Sequence, residues 1–383
     1  MSLQLMCGSL HNENYCHQGR FSHEKSLKSA CDVGDIKVVP GNYVLPVPER
    51  PNIDEIITKN DVVKVDYNLK LPIIDFEQLQ GPHRARVIES LQNACENFGF
   101  FQLVNHGISE DVISNMRDAT RRFFDLPVTE REKYMSSDVS APVRYGTSFN
   151  QTKDVVFCWR DFLKLVCDPH VLPQWPCSPF DFRKHVLTYA EEVKLLYVKV
   201  VEAILESLGV QDDDEKRDNG LTVKELRNGS QFIVVNYYPQ CPNPDLTLGI
   251  PPHSDIDFLT LLLQDHVNGL QIHHRGDWVG VDAISGAFVV NVGDLLEIFS
   301  NGKYKSVMHR ALVNSLQPRF SVASFHSVPF ETIVRPLPKL INESNPKKYK
   351  DTDFATFLEY YKSCDSKNKN FVESRKICLS NQE

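Results

Sequence analysis

The sequence lacks a long apolar run, because no stretch of about 18 consecutive apolar residues occurs among its 383 positions. We therefore expect no membrane-spanning segment. The first 20 residues, MSLQLMCGSLHNENYCHQGR, also lack an apolar stretch long enough for a secretory signal peptide. Together these absences predict a cytoplasmic protein.

Paired cysteines are also missing, since none of the ten cysteines belongs to a CxxC motif. In a long chain without a secretory signal, such scattered cysteines are expected to be reduced thiols. An excess of positive charge is missing as well, because the net charge is −8 and the pI is near 5.9. We therefore expect neither nucleic acid nor a membrane as a partner. No pattern indicates an obligate dimer face, so a monomer is expected.

The first half of the chain carries helix signals between shorter strand signals. Residues 1–39 are polar and predict a mobile tail. Apolar residues recur at helical spacing from Val87, and Gly99 predicts a left-handed end to that helix. Ser109 predicts the N-cap of the next helix. A long helix is expected over residues 182–209.

The second half consists of short apolar runs separated by Gly, Asn and Asp, such as QFIVVNYYP, FLTLLLQ, AFVVNVG and RFSVASFHS. About eight strands of this kind predict an all-β sandwich or barrel. Asn301-Gly302 predicts a hairpin between LLEIFS and KYKSV. A second hairpin turn is expected at Arg275-Gly276, after His273-His274.

These signals divide the chain into four parts. We expect a tail over residues 1–39, an α/β region over 40–228 that packs on the core, a β core over 229–332, and a helical segment with a tail over 333–383. The predicted fold class is mainly β with flanking helices.

A histidine and a carboxylate lie two residues apart in HSDIDFLTLLLQ. Because residues i and i+2 of a strand point to the same side, His253 and Asp255 are expected to project together. His309, from a later strand, would complete two imidazoles and one carboxylate on one face of a metal, the set that holds Fe(II) and leaves coordination positions open. An accidental surface pair is the alternative, and His266 and His326 are also ligands by residue type.

A second constellation suits a dicarboxylic ligand. Arg319 and Ser321 share one side of a predicted strand, where a guanidinium grips a carboxylate through two hydrogen bonds and a hydroxyl adds a donor. Asn236 and Tyr238 alternate onto one face of an earlier strand and would assist. A surface ion pair for Arg319 and a plain buried Tyr238 are the alternatives.

Several stretches resemble the plant-type 2-oxoglutarate- and Fe(II)-dependent dioxygenases in order and spacing. They are NYYPQCPNPDLTLGIPPHSD, LLLQDHVNGLQI, WVGVDAISGAFVVNVGD, LEIFSNGKYKSVMHR, RFSVASF, LPIIDF and CENFGFFQLVNHGI. The similarity covers about residues 40–365. GTSFN and WRDFLKL are most similar to the branch of flavone synthase-, flavanone 3-hydroxylase- and salicylate 5-hydroxylase-like enzymes.

The resemblance implies a double-stranded β-helix, or jelly-roll, core over residues 229–332. It implies Fe(II), 2-oxoglutarate as cosubstrate, ascorbate as reductant, and dioxygen. The implied catalytic iron ligands are His253, Asp255 and His309, and the implied 2-oxoglutarate ligands are Arg319, Ser321, Asn236 and Tyr238. Phe325 matches the position where relatives stack an aromatic substrate ring, with His326 and Phe149 expected nearby.

The expected activity is hydroxylation or desaturation of a small organic substrate, such as a phenolic or flavonoid metabolite or a hormone, with release of succinate and CO2. One alternative is an ascorbate-using oxidase similar to aminocyclopropane-carboxylate oxidase. Another is a jelly-roll that binds a small molecule without catalysis. A zinc hydrolase is disfavoured because no carboxylate is placed as a base near the predicted ligands.

Overall fold

The computed structural model describes residues 26–32, 34, 36–52, 70–148, 154–210, 221, 223–363 and 371–377. The α-helices are α1 (Leu27–Asp32), α2 (Arg84–Asn97), α3 (Glu110–Phe124), α4 (Val128–Arg131), α5 (Phe182–Ser207), α6 (Val223–Arg227), α7 (Asp294–Phe299), α8 (Phe354–Ser363) and α9 (Phe371–Arg375). Short 3-10 helices cover Gly41–Tyr43, Val47–Glu49, Glu77–Gln80, Glu132–Tyr134, Leu172–Gln174, Pro244–Leu246 and Pro338–Leu340. Within these ranges no helix is both long enough and apolar enough to cross a membrane.

The strands form two sheets. They are β1 (Ile73–Asp75), β2 (Phe100–Val104), β3 (Val143–Thr147), β4 (Asp161–Val166), β5 (Gln231–Tyr238), β6 (Ile250–His253), β7 (Leu259–Gln264), β8 (Leu270–His274), β9 (Asp277–Gly280), β10 (Phe288–Val292), β11 (His309–Ala311) and β12 (Arg319–His326). An eight-stranded sheet has the order β1-β2-β10-β7-β12-β5-β4-β3, and a four-stranded sheet has the order β6-β11-β8-β9. Apart from the parallel pair β1–β2, neighbouring strands are antiparallel.

One face of the eight-stranded sheet packs on helices. Alternate residues such as Leu163, Val235 and Val322 share one buried cluster with Leu196 and Val200 of α5. Because side chains alternate across a strand, the intervening residues point away from these helices. We call the helix-packed side the helix face and the opposite side the inner face.

The inner face meets the four-stranded sheet. Phe100 and Val289 of the large sheet are buried in a second cluster with Leu270 and Ile272 of the small one. Two antiparallel layers joined through such a core, with helices outside, fit the jelly-roll that the sequence predicts. The mainly β fold class with flanking helices is confirmed.

Several local predictions are confirmed. Gly99 has φ +66° after α2, and the Ser109 side chain accepts a hydrogen bond from the backbone N–H of Val112 at the start of α3. Arg275 and Gly276, with φ of 52° and 99°, form the hairpin turn between β8 and β9. In each case the signal lies within a few residues, so tertiary context does not override it.

The Asn301-Gly302 hairpin prediction is wrong. LLEIFS belongs to α7, not to a strand, and the dipeptide ends that helix. The Asn301 N–H donates to Ile298 O at 3.0 Å and the Gly302 N–H donates to Glu297 O at 2.8 Å, which is a Schellman cap. Both motifs need left-handed residues, so the dipeptide alone does not distinguish them.

Part of the predicted tail is held against the fold. Residues 1–25 lie outside the described residues, but α1 follows directly and Leu27 is buried. The backbone N–H groups of Leu27 and Lys28 each donate to the buried Asp161 carboxylate at 3.1 Å. A buried carboxylate needs such donors, which is the physical reason that this segment is packed.

Gly99 offers a test of the connection between α2 and β2. A Cβ at this residue would lie 2.3 Å from Lys305 O, whereas one at Gly107, with φ +81°, would meet nothing within 4 Å. We expect Gly107→Ala to lower the free energy of unfolding by about 1–2 kcal/mol through left-handed strain. Gly99→Ala should cost about 1–3 kcal/mol more because of the overlap. Urea unfolding of both variants measures the difference, and equal losses would contradict the close approach.

Candidate iron and 2-oxoglutarate site

Two histidines face each other across the small sheet. His253, the last residue of β6, pairs directly with His309, the first residue of β11. Their rings lie 4.2 Å apart, and Nε2 of each lies 3.6 Å from Oδ1 of Asp255. The three potential ligand atoms lie within 4.8 Å of one another. The structure therefore brings the three predicted ligands together.

Asp255 reaches this group by a route that differs from the prediction. It lies beyond the end of β6 rather than on the same strand as His253. Its backbone carbonyl accepts a hydrogen bond from the Asp294 N–H at 2.7 Å, at the start of α7. The loop between β6 and β7, and not strand alternation, places the carboxylate beside the imidazoles.

Backbone carbonyls set the orientation of both imidazoles. His253 Nδ1 lies 2.9 Å from Pro251 O, and His309 Nδ1 lies 3.1 Å from Val307 O. Because a carbonyl only accepts, each Nδ1 carries the hydrogen, and a neutral ring then has its lone pair on Nε2. These are the atoms that point toward Asp255. Such carbonyl partners are typical of histidines that bind metals.

Strands of the other sheet hold the Asp255 carboxylate. Thr260 on β7 and Asn291 on β10 both donate to Oδ2, at 2.7 and 2.8 Å, so Oδ1 is the oxygen that faces the histidines. Burial acts to raise the pKa of Asp255, but the imidazoles of His309 and His253 and these two hydrogen bonds bring it below its usual value. The residue is an anion at neutral pH.

Two further carboxyls surround Asp255 but differ from it in charge. Burial, with the nearby Asp255 charge, raises the pKa of Asp257 well above its usual value. Burial is also the main cause that raises the pKa of Asp294 to about 8. Both carboxyls therefore retain a proton to higher pH than Asp255, which is the readily ionised carboxyl beside the histidines. The sequence prediction missed these two residues, as well as Thr260 and Asn291, although HSDID and NVGD contain three of them.

The second predicted constellation lies on the inner face of the large sheet. Arg319 pairs with Tyr238 and Ser321 pairs with Asn236 across β12 and β5. The guanidinium lies 5.0 Å from the centre of the Tyr238 ring, and all four side chains are buried. The structure therefore brings these four residues together as well.

Gln264 completes this group and was not predicted. Gln264 of β7 pairs with Ser321 of β12, and its Oε1 accepts a hydrogen bond of 2.6 Å from Arg319 Nη2. Its buried Nε2 has no hydrogen-bond partner within the described ranges. Gly269 gives Arg319 its space, since a Cβ there would lie 2.8 Å from Arg319 Cδ. A buried guanidinium beside an unused amide donor is suited to an anion.

Comparisons with known proteins agree with this geometry. Residues 229–328 match the model of the 2OG-Fe(II) oxygenase superfamily, and residues 71–179 match the model of the non-haem dioxygenase in morphine synthesis N-terminal domain. The chain is 40% identical over 327 residues to Protein DMR6-LIKE OXYGENASE 2 of Arabidopsis thaliana, covering 84% of this chain and 90% of that protein. It is 41% identical over 333 residues to Flavanone 3-dioxygenase 2 of Oryza sativa subsp. japonica, covering 86% and 91%.

A solved structure gives the same answer. JOX2 in complex with 2OG, Fe and JA superposes with a TM-score of 0.77 at 31% identity, covering 92% of this chain and 98% of that one.

The chain belongs to the 2OG-Fe(II) oxygenases. This confirms the resemblance found in the sequence, including the branch with flavanone 3-hydroxylase-like enzymes, and makes the protein an oxidoreductase of the dioxygenase type. Membership implies Fe(II) and 2-oxoglutarate as its cofactor and cosubstrate.

The residues of this oxygenase are suited to bind both Fe(II) and 2-oxoglutarate. His253, His309 and Asp255 offer two neutral nitrogen ligands and one anionic oxygen, a set that suits Fe(II) and leaves adjacent positions open. At the other end, Arg319 and the unpartnered Nε2 of Gln264 offer donors to a carboxylate. These residues would hold the iron and the far end of 2-oxoglutarate.

An aromatic pair adjoins the triad of this oxygenase. Phe325 on β12 stacks on Phe232 of β5, with ring centres 4.5 Å apart and planes 9° apart. Both rings are half-buried on the inner face, and Phe325 pairs with Thr260, the residue that donates to Asp255. The predicted substrate residue Phe325 therefore lies next to the candidate iron site.

The other two predicted substrate residues do not join this group. His326 follows Phe325 on β12 and so points to the helix face, where it is fully buried and stacks on Tyr197 at 4.4 Å. Its Nε2 lies 3.0 Å from Ser324 Oγ. Phe149 lies outside the described residues. His266, considered above as a ligand, is exposed after β7 and is not part of the triad cluster.

A cleft of about 520 Å³ lies between α3 and the loops after β7 and β9, lined by residues that include Arg117, Arg121, Asp265 and His266. None of the predicted site residues that the structure describes lines this cleft. The Asp265 carboxylate accepts from the backbone N–H groups of Val267 and Phe320 at 3.0 and 2.7 Å, so its role there is structural.

Removal of one imidazole tests the triad. We expect His309→Ala to weaken Fe(II) binding by more than about a hundredfold. Loss of a metal ligand should cost more than loss of a residue that only supports a ligand, which typically costs about 10- to 100-fold. Anaerobic calorimetry with Fe(II) measures the affinity, and His170→Ala, at an exposed histidine, is the control. Wild-type affinity in His309→Ala would remove this residue from the site.

Removal of a supporting hydrogen bond should have a smaller effect. Thr260→Val keeps the shape of the side chain but removes the donor to Asp255 Oδ2. We expect Fe(II) affinity to fall by about 10- to 100-fold. Thr188→Val, on the exposed side of α5, is the matched control, and equal affinities for the two variants would show that the hydrogen bond has no role in metal binding.

Proposed function

We propose that this oxygenase oxidises a small organic molecule, either a phenolic or flavonoid metabolite or a hormone, at a carbon–hydrogen bond. The observation that carries the proposal is that the Arg319 group and the Phe232–Phe325 stack lie on the inner face of the large sheet, where Thr260 and Asn291 also hold Asp255 of the triad. The names of the relatives support the substrate class, since one is a flavanone 3-dioxygenase and JOX2 is described with JA bound.

The chemistry requires little acid–base work from the protein. When bound, Fe(II) and 2-oxoglutarate supply the oxidation: dioxygen and 2-oxoglutarate are consumed, succinate and CO2 are formed, and the substrate gains one oxygen atom, or loses two hydrogens with formation of water. The side chains bind, orient and exclude water. No general base is assigned.

Each of these three groups has a defined task in this proposal. His253, Asp255 and His309 fix the metal position, and Arg319 with Ser321 anchors the far carboxylate of the cosubstrate. Asn236 and Tyr238 border the same anchor. Phe325 and Phe232 give a ring of the substrate an apolar surface beside the metal, which keeps water from the reacting carbon.

Three further features belong to the proposal. Ascorbate acts as the reductant that keeps the iron ferrous between turnovers. The protein functions as a monomer, and in the cytoplasm, as its scattered cysteines and net charge of −8 suggest.

A substrate panel tests the activity. The purified protein is incubated with Fe(II), 2-oxoglutarate, ascorbate and one candidate at a time, and products are read by mass for a gain of oxygen or a loss of two hydrogens. Succinate formed in proportion to product supports the proposal. Oxygen uptake that does not need 2-oxoglutarate would favour the ascorbate-using oxidase. Tight binding of a small molecule without iron and without turnover would favour a non-catalytic binder.

Arg319 provides a test of the cosubstrate anchor. Because a hydrogen bond to a charged group contributes about 1.5–3 kcal/mol, Arg319→Gln should raise the KM for 2-oxoglutarate by roughly 10- to 100-fold. The variant Arg275→Gln, in the exposed turn after β8, is the control. Steady-state kinetics at varied 2-oxoglutarate measures the change, and an unchanged KM would exclude Arg319 from this role.

A further inference from the structure

Three basic side chains, Arg144, Arg160 and Lys164, lie at the β3–β4 end of the large sheet, on or beside its inner face. Lys164 of β4 pairs with Arg144 of β3 on one side and with Val234 of β5 on the other. Arg160, Phe162 and Lys164 are two residues apart in turn, and Phe162 pairs with Asn236 of the cosubstrate group. Strand alternation therefore puts Phe162 and Lys164 on the inner face, with the Arg319 group, and Arg160 reaches the same face through its hydrogen bond to Asn236.

The basic side chains are held in place rather than extended into solvent. The Arg144 and Arg160 guanidiniums each lie 5.0 Å from the Phe162 ring centre, and both residues are at most 5% exposed. Arg160 Nη1 donates to Asn236 Oδ1 at 2.6 Å. Arg144 Nε donates to the backbone carbonyl of Ser136 at 2.9 Å. These contacts fix the positions of the two positively charged guanidinium groups.

Lys164 has one hydrogen bond, to a backbone carbonyl. Its Nζ donates to Val139 O at 2.9 Å, and within the described ranges no carboxylate forms an ion pair with it. Burial and then the charge of Arg144 lower the pKa of Lys164 to about 8, and the charge of Asp138 acts in the opposite direction. A partly buried cation in a positive environment is costly unless an anion joins it.

The position of Lys164 relates it to the substrate region. Lys164 pairs with Val234 of β5, and Val234 pairs in turn with Ala323 of β12. Ala323 lies between Ser321 and Phe325 on that strand. At about 4.8 Å per strand, β4 lies roughly 14 Å from β7, where Thr260 supports Asp255. A lysine side chain and a small ring system together span such a distance.

We propose, on the basis of the function proposed above, that the organic substrate is a carboxylic acid and that Lys164 binds its carboxylate. The ring of the acid stacks on the Phe232–Phe325 pair, which leaves the opposite end of the molecule at the metal. Arg144 and Arg160 create the positive potential that selects the anion. Lys164 is thus a specificity-determining residue, separate from the anchor for 2-oxoglutarate.

Matched probes test the inference through binding, without turnover. Benzoic and cinnamic acids with ring hydroxyl groups are compared with their own methyl esters, and a neutral flavanone is included. Anaerobic calorimetry on the protein loaded with Fe(II) and 2-oxoglutarate gives each affinity. We expect at least one acid to bind tenfold or more tightly than its ester. Equal affinities of every acid and its ester, or binding of the flavanone alone, would overturn the inference.

Variants of Lys164 test whether this residue is the one that binds the carboxylate of the substrate. In Lys164→Gln the affinity for the acid should fall to that of the ester, while affinities for the ester and for 2-oxoglutarate stay within twofold. Lys164→Arg should restore acid binding, and Lys184→Gln on the exposed side of α5 should change nothing. Equal weakening of acid and ester in Lys164→Gln would mean a structural role and would overturn the inference, and thermal unfolding identifies a variant that fails to fold.

A pH series adds an independent readout. Lys164 is charged below about pH 8, so affinity for the acid should be highest there and fall as pH rises further, while Lys164→Arg keeps its affinity. The charged groups that face Lys164 are Arg144 on β3 and Asp138 in the preceding loop. A protein that binds Fe(II) and 2-oxoglutarate but no acid would overturn this inference alone. Failure to bind 2-oxoglutarate at all would overturn the proposed function.

Discussion

The direct pairing of His253 with His309 across β6 and β11 is the constraint on which the site depends. It fixes two imidazoles on the small sheet, but the third ligand is held by the large sheet, through Thr260 and Asn291. The site therefore lies between the two sheets. Phe100, whose ring meets His309 edge-on at 5.5 Å, packs between the same two sheets. The apolar core between the sheets thus sets the ligand geometry.

Charge explains why the two ends of the site belong together. At the iron end the pKa of Asp255 is lowered, whereas burial raises the pKa values of the neighbouring Asp257 and Asp294. With Fe(II) bound, this end has a net positive charge and attracts an anionic ligand. The other end has the buried Arg319, which also needs an anion. A short molecule with a carboxylate at each end satisfies both, and 2-oxoglutarate is such a molecule.

The sequence predicted those features that depend on local rules or on family motifs. The Gly99 and Ser109 caps are local, and the grouping of His253 with Asp255 and His309 followed from motif order. Gln264 and Thr260 were missed because their roles depend on register between strands that are distant in sequence. Such a register is set by the packing of whole layers and has no short sequence signal.

His326 lies on the opposite face of β12 from Phe325, for a reason that was available in the sequence. Adjacent residues of a strand cannot both face a pocket, so Phe325 and His326 were incompatible as neighbours of one substrate. Here the His326 side is filled by Tyr197 of α5, and the Phe325 side by Phe232.

Because side chains alternate along each strand, the two faces of the large sheet place different requirements on the residue types that can occupy them. On the helix face, Leu163 and Val322 need only fit the apolar core, which tolerates changes that conserve volume. On the inner face, Lys164 and Ser321 have polar groups to which the proposed function assigns ligands, so their chemical type would matter. A slip of one residue in the register of β4 or β12 would exchange these roles. It would bury a lysine or an arginine against α5, at a cost of several kcal/mol per unpaired ion. The apolar core of the helix face therefore protects the chemistry of the inner face, since it makes the alternative registers too costly to populate.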